Sequence, residues 1–377
     1  MFQSGSFGEI SKKIRDKMET SQPRRSDVST SKNATPTRAD VAKLARTSLA
    51  TVSYVVNDGP KFVAEKTRKR VLDAIETLGY RPDPIALSLR GASSNSIGMM
   101  VPNFRGPFFA DLVAEVEQRA AAQGKVVIFG STRYIHSTEQ ELIRTFADHR
   151  VEAVLSIGPT KELQPADRFN GAINIFRISD DDRAMSTVEI AQRAAIREAA
   201  QHLLGHGRKR IAAIFGPTAH GVFKVRYRGW RDAMSYTTEQ SKELVRRADY
   251  SYRGGHDAAL ELFSQKHRPD GLLVSNDTQA IGALSALNTM GLRIPEDVAV
   301  ISIDSTEISP FLSPPLSSVA QPADLLAEAA LELINTPDAD PGTHITVPHR
   351  LNTRESCGCT SEPPDEVTEE EPLERAK

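Results

Sequence analysis

Two hydroxyls, Ser48 and Thr51, stand three residues apart in LARTSLATVSYVVND, where a turn gives way to an apolar-periodic run. Hydroxyls beside the unpaired amides of a helix N-terminus suit phosphate oxygens. Leu49 and Ala50, with Ser53 and Tyr54 one turn on, share the face that a second helix of a helix-turn-helix turns toward base edges. Thr37 and Asn57 bracket the pair as further candidate contacts. A second group lies far downstream. Asp277 follows GLLVSN and Asp304 ends VAVISID, and a strand-end carboxylate suits bidentate acceptance from polyol hydroxyls. Two readings are open for the first: Asp277 meets the ligand, or it caps a helix while Asn276 takes the ligand. Cys357 and Cys359 are too close for an unstrained disulfide and make an incomplete metal site, so they read as reduced cytoplasmic thiols. His202, His206, His220 and His256 are scattered and read as surface or capping residues.

Several chemistries are excluded. The sequence has no nucleophile elbow, no GxxxxGK[ST] phosphate loop and no metal-spaced His cluster, so an enzyme is not expected. No run of eighteen apolar residues would span a membrane. Charge is uneven: residues 1–35 hold seven Lys/Arg against four Asp/Glu, residues 36–90 hold ten against six, and residues 359–377 hold two against seven. A basic front on a mildly acidic body suits a nucleic-acid contact confined to one end.

The elements that must position these groups follow from periodicity. Thr37 with Asp40 makes a capping-box-like start, followed by the stripe Val41, Leu44, Ala45. Ser48 can cap a second helix bearing Val52, Val55 and Val56, and Asn57-Asp58-Gly59-Pro60 stops it. A third helix from about Glu65 to Leu78 buries Val71, Ile75 and Leu78 and ends at Gly79. These make a three-helix headpiece over residues 37–81, behind a polar, basic and disordered leader (1–36) that is either idle or an auxiliary arm. Residues 82–95 form a hinge segment, in which Pro82 and Pro84 interrupt any incoming helix. Its IALSLR is too short to be helical alone, so it is helical only when packed, or not at all.

Residues 96–357 alternate strand and helix. IGMMVP, KVVIFG, VEAVLSIG and AINIFRIS read as strands, and TVEIAQRAAIREAAQHLLGHG as one long helix. The series restarts at Arg210 with RIAAIFGP and runs through GLLVSND and VAVISIDS, with a short connection near ADYSY. ADLLAEAALELIN closes it as a helix, and THITVPHRLNTRES ends extended. The fold class is α/β: a helix-turn-helix headpiece plus a two-lobed core of doubly wound parallel sheets, with a cleft at the strand carboxyl ends. An acidic disordered tail fills 358–377.

TRADVAKLARTSLATVSYVVNDGP, then VAEKTRKRVLDAIETLGYRPDPIALSLR, closely resembles the DNA-binding headpiece of LacI/GalR-family repressors. IGMMVPN with GPFF, LLGHGRKRIAAIFGP, RYRGW, NDTQAIGALSAL, GLRIPEDVAVISID and SPPLSSVAQP continue the resemblance in collinear order to about residue 356. It implies a homodimer, each headpiece reading half of a near-palindromic operator in double-stranded DNA. It also implies a core resembling periplasmic sugar-binding proteins, with a small-molecule effector, a sugar or sugar derivative, between the lobes. The hinge would pair with its dimer mate in the minor groove, with Leu89 as an apolar wedge, Ala86 allowing close pairing and Arg90 near phosphate. Arg226 in RYRGW resembles the arginine that binds effector hydroxyl or carboxylate groups, Tyr250 a stacking aromatic, and Pro107 and Phe108 would close the cleft from the first lobe. Arg177 stands where relatives often carry Asp; facing the cleft, it would favour an anionic effector. No cofactor or metal is implied, and the tail lacks a leucine heptad, so a dimer is expected.

The chain also departs from the family pattern. Arg46 replaces a usual turn Gly, Tyr54 stands where many members carry Arg, and Leu49 and Ala50 cannot make bidentate base contacts. The operator sequence is therefore not to be carried over from well-known members. A binding protein with a vestigial headpiece would share this core, and only a DNA measurement separates the two.

Overall fold

A computed structural model describes residues 36–56, 61–80, 94–102, 106–157, 169, 171–175, 185–217, 221–336 and 342–360. The expected contacts Asn57, Ala86, Leu89, Arg90 and Arg177, together with His220, lie outside the described residues. The chain divides into two compact units, 1–86 and 87–377.

The first unit is three helices: α1 (Arg38–Leu44), α2 (Leu49–Val56) and α3 (Glu65–Leu78). The start of α1 is a capping box. The Asp40 amide donates to Thr37 Oγ1, and the Thr37 amide donates to the Asp40 carboxylate at 2.8 Å. Ser48 caps α2, its Oγ accepting from the Thr51 amide at 3.1 Å. Gly79, left-handed at φ 62°, ends α3. The seam between the helices is Val41, Ala42, Ala45, Val52, Val55, Val71, Ala74 and Tyr80, all buried. In the turn, Arg46 takes φ 51°, the left-handed region that glycine fills without a Cβ clash.

The second unit holds two six-stranded sheets. The first contains β1 (Ser96–Val101), β2 (Val126–Ser131), β3 (Ala153–Ile157), β4 (Gly171–Ile175), β5 (Ser186–Ile190) and β11 (His344–Val347), in the order β11-β5-β4-β3-β1-β2. All its pairings are parallel. Between these strands run α4 (Pro107–Ala122), with Pro107 at the position where a missing N–H costs nothing, and α5 (His136–Asp148). The second sheet contains β6 (Ile211–Phe215), β7 (Val245–Arg247), β8 (Gly271–Val274), β9 (Ala299–Asp304), β10 (Ser317–Ala320) and β12 (Arg350–Asn352). Its order is β12-β10-β9-β8-β6-β7, with β12 alone antiparallel among the described pairings. Its helices are α6 (Gln192–Gly205), α7 (Val222–Met234), α8 (Thr238–Leu244), α9 (Tyr252–Phe263) and α10 (Asp277–Thr289), and α11 (Ala323–Asn335) packs back on α4, β4 and β5. Strands β1, β3, β6 and β8 are buried along their whole length, as both-face coverage demands.

The structure corrects the sequence reading in four places. TVEIAQRAAIREAAQHLLGHG is not one helix: β-branched Thr187, Val188 and Ile190 lie in β5 between β4 and β11, and the helix starts at Gln192. The connection before ADYSY contains α8, opened by a Thr237/Gln240 capping box, and β7. SSVA forms β10, a strand too short and too serine-rich to show a period. Residues 358–360, placed in the acidic tail by composition, are described, and Cys359 packs on α6.

Arg46→Gly is expected to stabilise the headpiece by up to about 1 kcal/mol. The left-handed cost for a side chain, about 1–2 kcal/mol, exceeds the extra unfolded-chain freedom of glycine, about 0.5–1 kcal/mol. Slower amide exchange at Val52 and Val55 in the full chain would register the gain.

Candidate functional site

On the headpiece, burial of Val52 and Val55 turns Leu49, Ala50, Ser53 and Tyr54 to the opposite, accessible face of α2. Leu49 is 54% exposed, which leaves its side chain open to a partner on this face. Ser48 and Thr51 share a hydroxyl–hydroxyl bond of 2.9 Å at the start of α2, which keeps both oxygens beside its first amides. The Lys61 ammonium lies 5.7 Å from the centre of the Tyr54 ring, so positive charge borders this face. Thr37 is exposed, with its hydroxyl donating to Asp40 at 2.6 Å.

In the second unit the carboxyl ends of the central strands of both sheets meet at a cavity of about 260 Å³. Both sheets reverse their strand order there, between β1 and β3 and between β6 and β8, the position where open α/β sheets bind ligands. Pro102, Ser156, Ser275, Asn276 and Asp304 line the cavity from strand ends. Phe108 and Phe109 enter from α4, Phe223 and Arg226 from α7. Tyr134, from the loop after β2, and Tyr250, after β7, meet across the cavity with ring centroids 6.1 Å apart. Tyr250 fits because residue 216 is glycine: a Cβ there would stand 2.0 Å from its hydroxyl. Burial raises the Tyr250 phenol above its ordinary value, against the pull of Arg226, so the phenol stays neutral.

Arg226 organises the polar side. Only 5% exposed, its guanidinium donates from Nε to Gln192 Oε1 at 2.8 Å, from Nη1 to the Ser275 carbonyl at 2.6 Å and from Nη2 to Gln321 Oε1 at 3.5 Å. Gln321 Nε2 in turn donates to Asp304 Oδ1 at 2.7 Å. A chain of donors thus connects α6, the end of β8, the residue after β10 and the end of β9. Burial, then the nearby Asp277 charge, raises the Asp304 carboxyl well above the carboxylate range; Arg226 and the Gln321 hydrogen bond only partly offset this. Asp304 also holds φ 108°, which aims it away from the regular path of β9.

Several expected residues stand elsewhere. Asp277 does not line the cavity. It is 1% exposed; Oδ2 accepts from the Thr306 amide at 2.7 Å, Thr306 Oγ1 at 2.8 Å and Ser309 Oγ at 2.7 Å, and Oδ1 accepts from Ser302 and Ser318. All its lone pairs are used internally, leaving none for a ligand. Asn276 lines the cavity, and its Oδ1 also caps α10 by accepting from the Gln279 amide at 2.8 Å. Pro107 is set back from the cavity at the start of α4, between lining residues Gly106 and Phe108. Sequence reasoning missed Gln192, Gln321, Ser275 and Tyr134. Their signal was position, just past a strand or at a helix start.

The chain thus carries a helix-turn-helix unit and two switch-point sheets around a polar-aromatic cavity. Residues 37–83 match the family described as bacterial regulatory proteins, lacI family, and residues 200–357 match the periplasmic binding protein-like domain. The chain is 32% identical over 300 residues to the HTH-type transcriptional repressor PurR of Actinobacillus pleuropneumoniae, covering 78% of this chain and 89% of that one. It is 30% identical over 317 residues to the ribose operon repressor of Escherichia coli, covering 79% and 92%. The lac repressor dimer bound to operator and the anti-inducer ONPF has the same fold, with TM-score 0.75 and 25% identity over 86% of this chain and 99% of that one. A complex of the transcriptional regulator CelR with cellobiose gives TM-score 0.60 at 27% identity, over 85% and 99%. The chain belongs to the LacI family of bacterial regulatory proteins, and its homologues are DNA-binding transcriptional repressors rather than enzymes. No described helix is long and apolar enough to cross a membrane.

Asp277→Ala is expected to cost at least about 3 kcal/mol, because it strands several buried donors at about 1–3 kcal/mol each. Asn276→Ala removes a helix cap, at about 1 kcal/mol. Denaturant unfolding of the two variants should show this order.

Proposed function

We propose that the protein is a dimeric repressor that holds double-stranded operator DNA through the exposed face of α2 and releases or tightens it when a small polyhydroxylated ligand occupies the cavity. The observation that supports the ligand reading best is that Gln321 bridges Arg226 and Asp304 beside the Tyr134–Tyr250 aromatic wall. A carboxylate accepts from adjacent hydroxyls, a guanidinium donates to oxygens, and aromatic faces cover the C–H side of a ring. The ribose repressor and the cellobiose-bound CelR make a sugar the first class to test, and an acid or phosphate of a sugar the second. Arg177 belongs to the second reading. Headpiece contacts would come from Ser48 and Thr51 to phosphate and from Leu49, Ala50, Ser53 and Tyr54 to base edges, with Thr37 and Asn57 at the flanks. Thymine methyl groups suit Leu49 and Ala50. In the hinge, Leu89 would wedge between base steps, with Ala86 at the dimer contact and Arg90 at phosphate. Exposed Val126 and Phe129 on edge strand β2 offer apolar surface for a second subunit.

Calorimetric titration of neutral sugars, aldonic acids and sugar phosphates tests the ligand. Binding by neutral sugars alone would remove the anionic reading, and binding by none would remove both. With the ligand in hand, Asp304→Asn should weaken affinity by about 1.5–3 kcal/mol, the worth of a charged hydrogen bond.

The pH dependence has a definite sign. The raised pKa of Asp304 means the folded protein holds a proton that the unfolded chain has released. Ligand-free stability should therefore fall as pH rises from the ordinary carboxylate range through the raised value. Affinity for a hydroxyl donor should rise over the same window. Asp304→Asn should flatten both curves.

DNA sites selected from random duplexes should bind at physiological salt, with ligand changing affinity by roughly 5- to 150-fold. Leu89→Ala should weaken that binding and leave ligand affinity unchanged; an unaltered gel shift would favour a binding protein with an idle headpiece.

A further inference from the structure

His202 and His206 are four residues apart, on the last turn of α6 and just past it, so both rings project from one face. The chain returns there 150 residues later with Cys357-Gly358-Cys359. His202 Nε2 lies 3.3 Å from Cys357 Sγ and 3.4 Å from Cys359 Sγ; His206 Nε2 lies 3.2 Å from Cys359 Sγ and 3.1 Å from His202 Nε2. All four ligand atoms fall within 4.8 Å of one another. This overturns the reading of these histidines as scattered and of the cysteines as an incomplete set.

We propose that His202, His206, Cys357 and Cys359 form a closed Cys2His2 zinc site that clamps the end of the core onto α6. A tetrahedral zinc with Zn–S of about 2.3 Å and Zn–N of about 2.0–2.1 Å has ligand–ligand edges of about 3.3–3.8 Å. The four distances above, from 3.1 to 3.4 Å, sit at the short end of that range or just below it, so small rotamer changes would open the cluster around an ion. The ligand chemistry also selects the ion: two sulfurs and two imidazoles in a tetrahedron are the donor set of zinc rather than of magnesium or calcium. Two thiolates would neutralise a divalent charge, and binding would release the two thiol protons to solvent.

The surroundings fit a built site. Gly358 holds φ 103°, and a Cβ there would press within 3.3 Å of His206 Nδ1, so glycine lets the two thiols flank the ring. Cys357 is fully buried and anchors the site in the core, whereas Cys359 is half-buried and His206 exposed, leaving a path for an ion to enter. The helix that ends at these histidines begins at Gln192, which holds Arg226.

The test uses the untagged full chain, since an oligohistidine tag binds zinc itself. After exposure to zinc and desalting, elemental analysis should find one zinc per chain. Cobalt substitution should give the thiolate-to-metal charge-transfer and tetrahedral ligand-field absorption. His206→Gln and Cys359→Ser, both at accessible positions, should each lower zinc affinity by more than the roughly 10- to 100-fold that loss of an outer partner costs. Chelator should lower the melting temperature of the wild-type chain and leave that of both variants unmoved. Zinc content no higher than in the variants, or two freely titrating thiols at saturating zinc, would overturn the proposal, as would a Cys357–Cys359 disulfide in the purified chain.

Discussion

A carboxylate taken fully out of water must be surrounded by donors, and the second sheet is arranged around one such group. Asp277, at the start of α10, collects hydroxyls from β9 and β10 and both an amide and hydroxyls from the loop between them. Of the two serines that weaken β10 by propensity, Ser318 answers that demand, while the Ser317 hydroxyl bonds the Arg354 backbone. With the two strands and their loop fixed in register, Asp304 and Gln321 emerge at the cavity side by side. The pocket is thus shaped by a charge that does not line it.

Arg226 plays the complementary role on the opposite wall. Its planar fork spends its donors on three different elements, and a lysine could satisfy only part of them. The same arginine supplies the positive field that competes with burial at Tyr250 and Asp304. One residue therefore bears on both the shape of the cavity and the protonation of its acids, which burial dominates.

Much of this was legible in the sequence. The capping box at Thr37, the Ser48 cap and the Gly79 stop are local rules, satisfied by neighbours a few residues apart, and they placed the headpiece helices closely. Apolar runs located β1, β3, β6, β8 and β9, because full burial leaves a continuous signal. Arg226, Tyr250, Asn276 and Asp304 all line one cavity. What stayed hidden depends on partners distant in sequence. Thr187–Ile190 read as helix because the strands on either side of it, β4 and β11, are separated by more than 150 residues. The partners of Arg226 follow strands or start helices whose limits periodicity does not define. The histidine–cysteine cluster needs a return of the chain that no local pattern announces.

That return has a consequence for how the molecule is made. The first sheet is not contiguous in the chain: β11, its outermost member beside β5, comes from residues 344–347, after the whole second sheet but β12. While the protein emerges from the ribosome, the apolar floor beneath α11 stays uncovered until residues 323–335 have been synthesised, and β5 keeps an open edge until residues 344–347 follow. Neither half of the core can be completed from its own stretch of polypeptide. Nascent chains that stall late therefore display an unpaired parallel edge, the kind of surface that chaperones shield and that premature truncation would leave exposed for good.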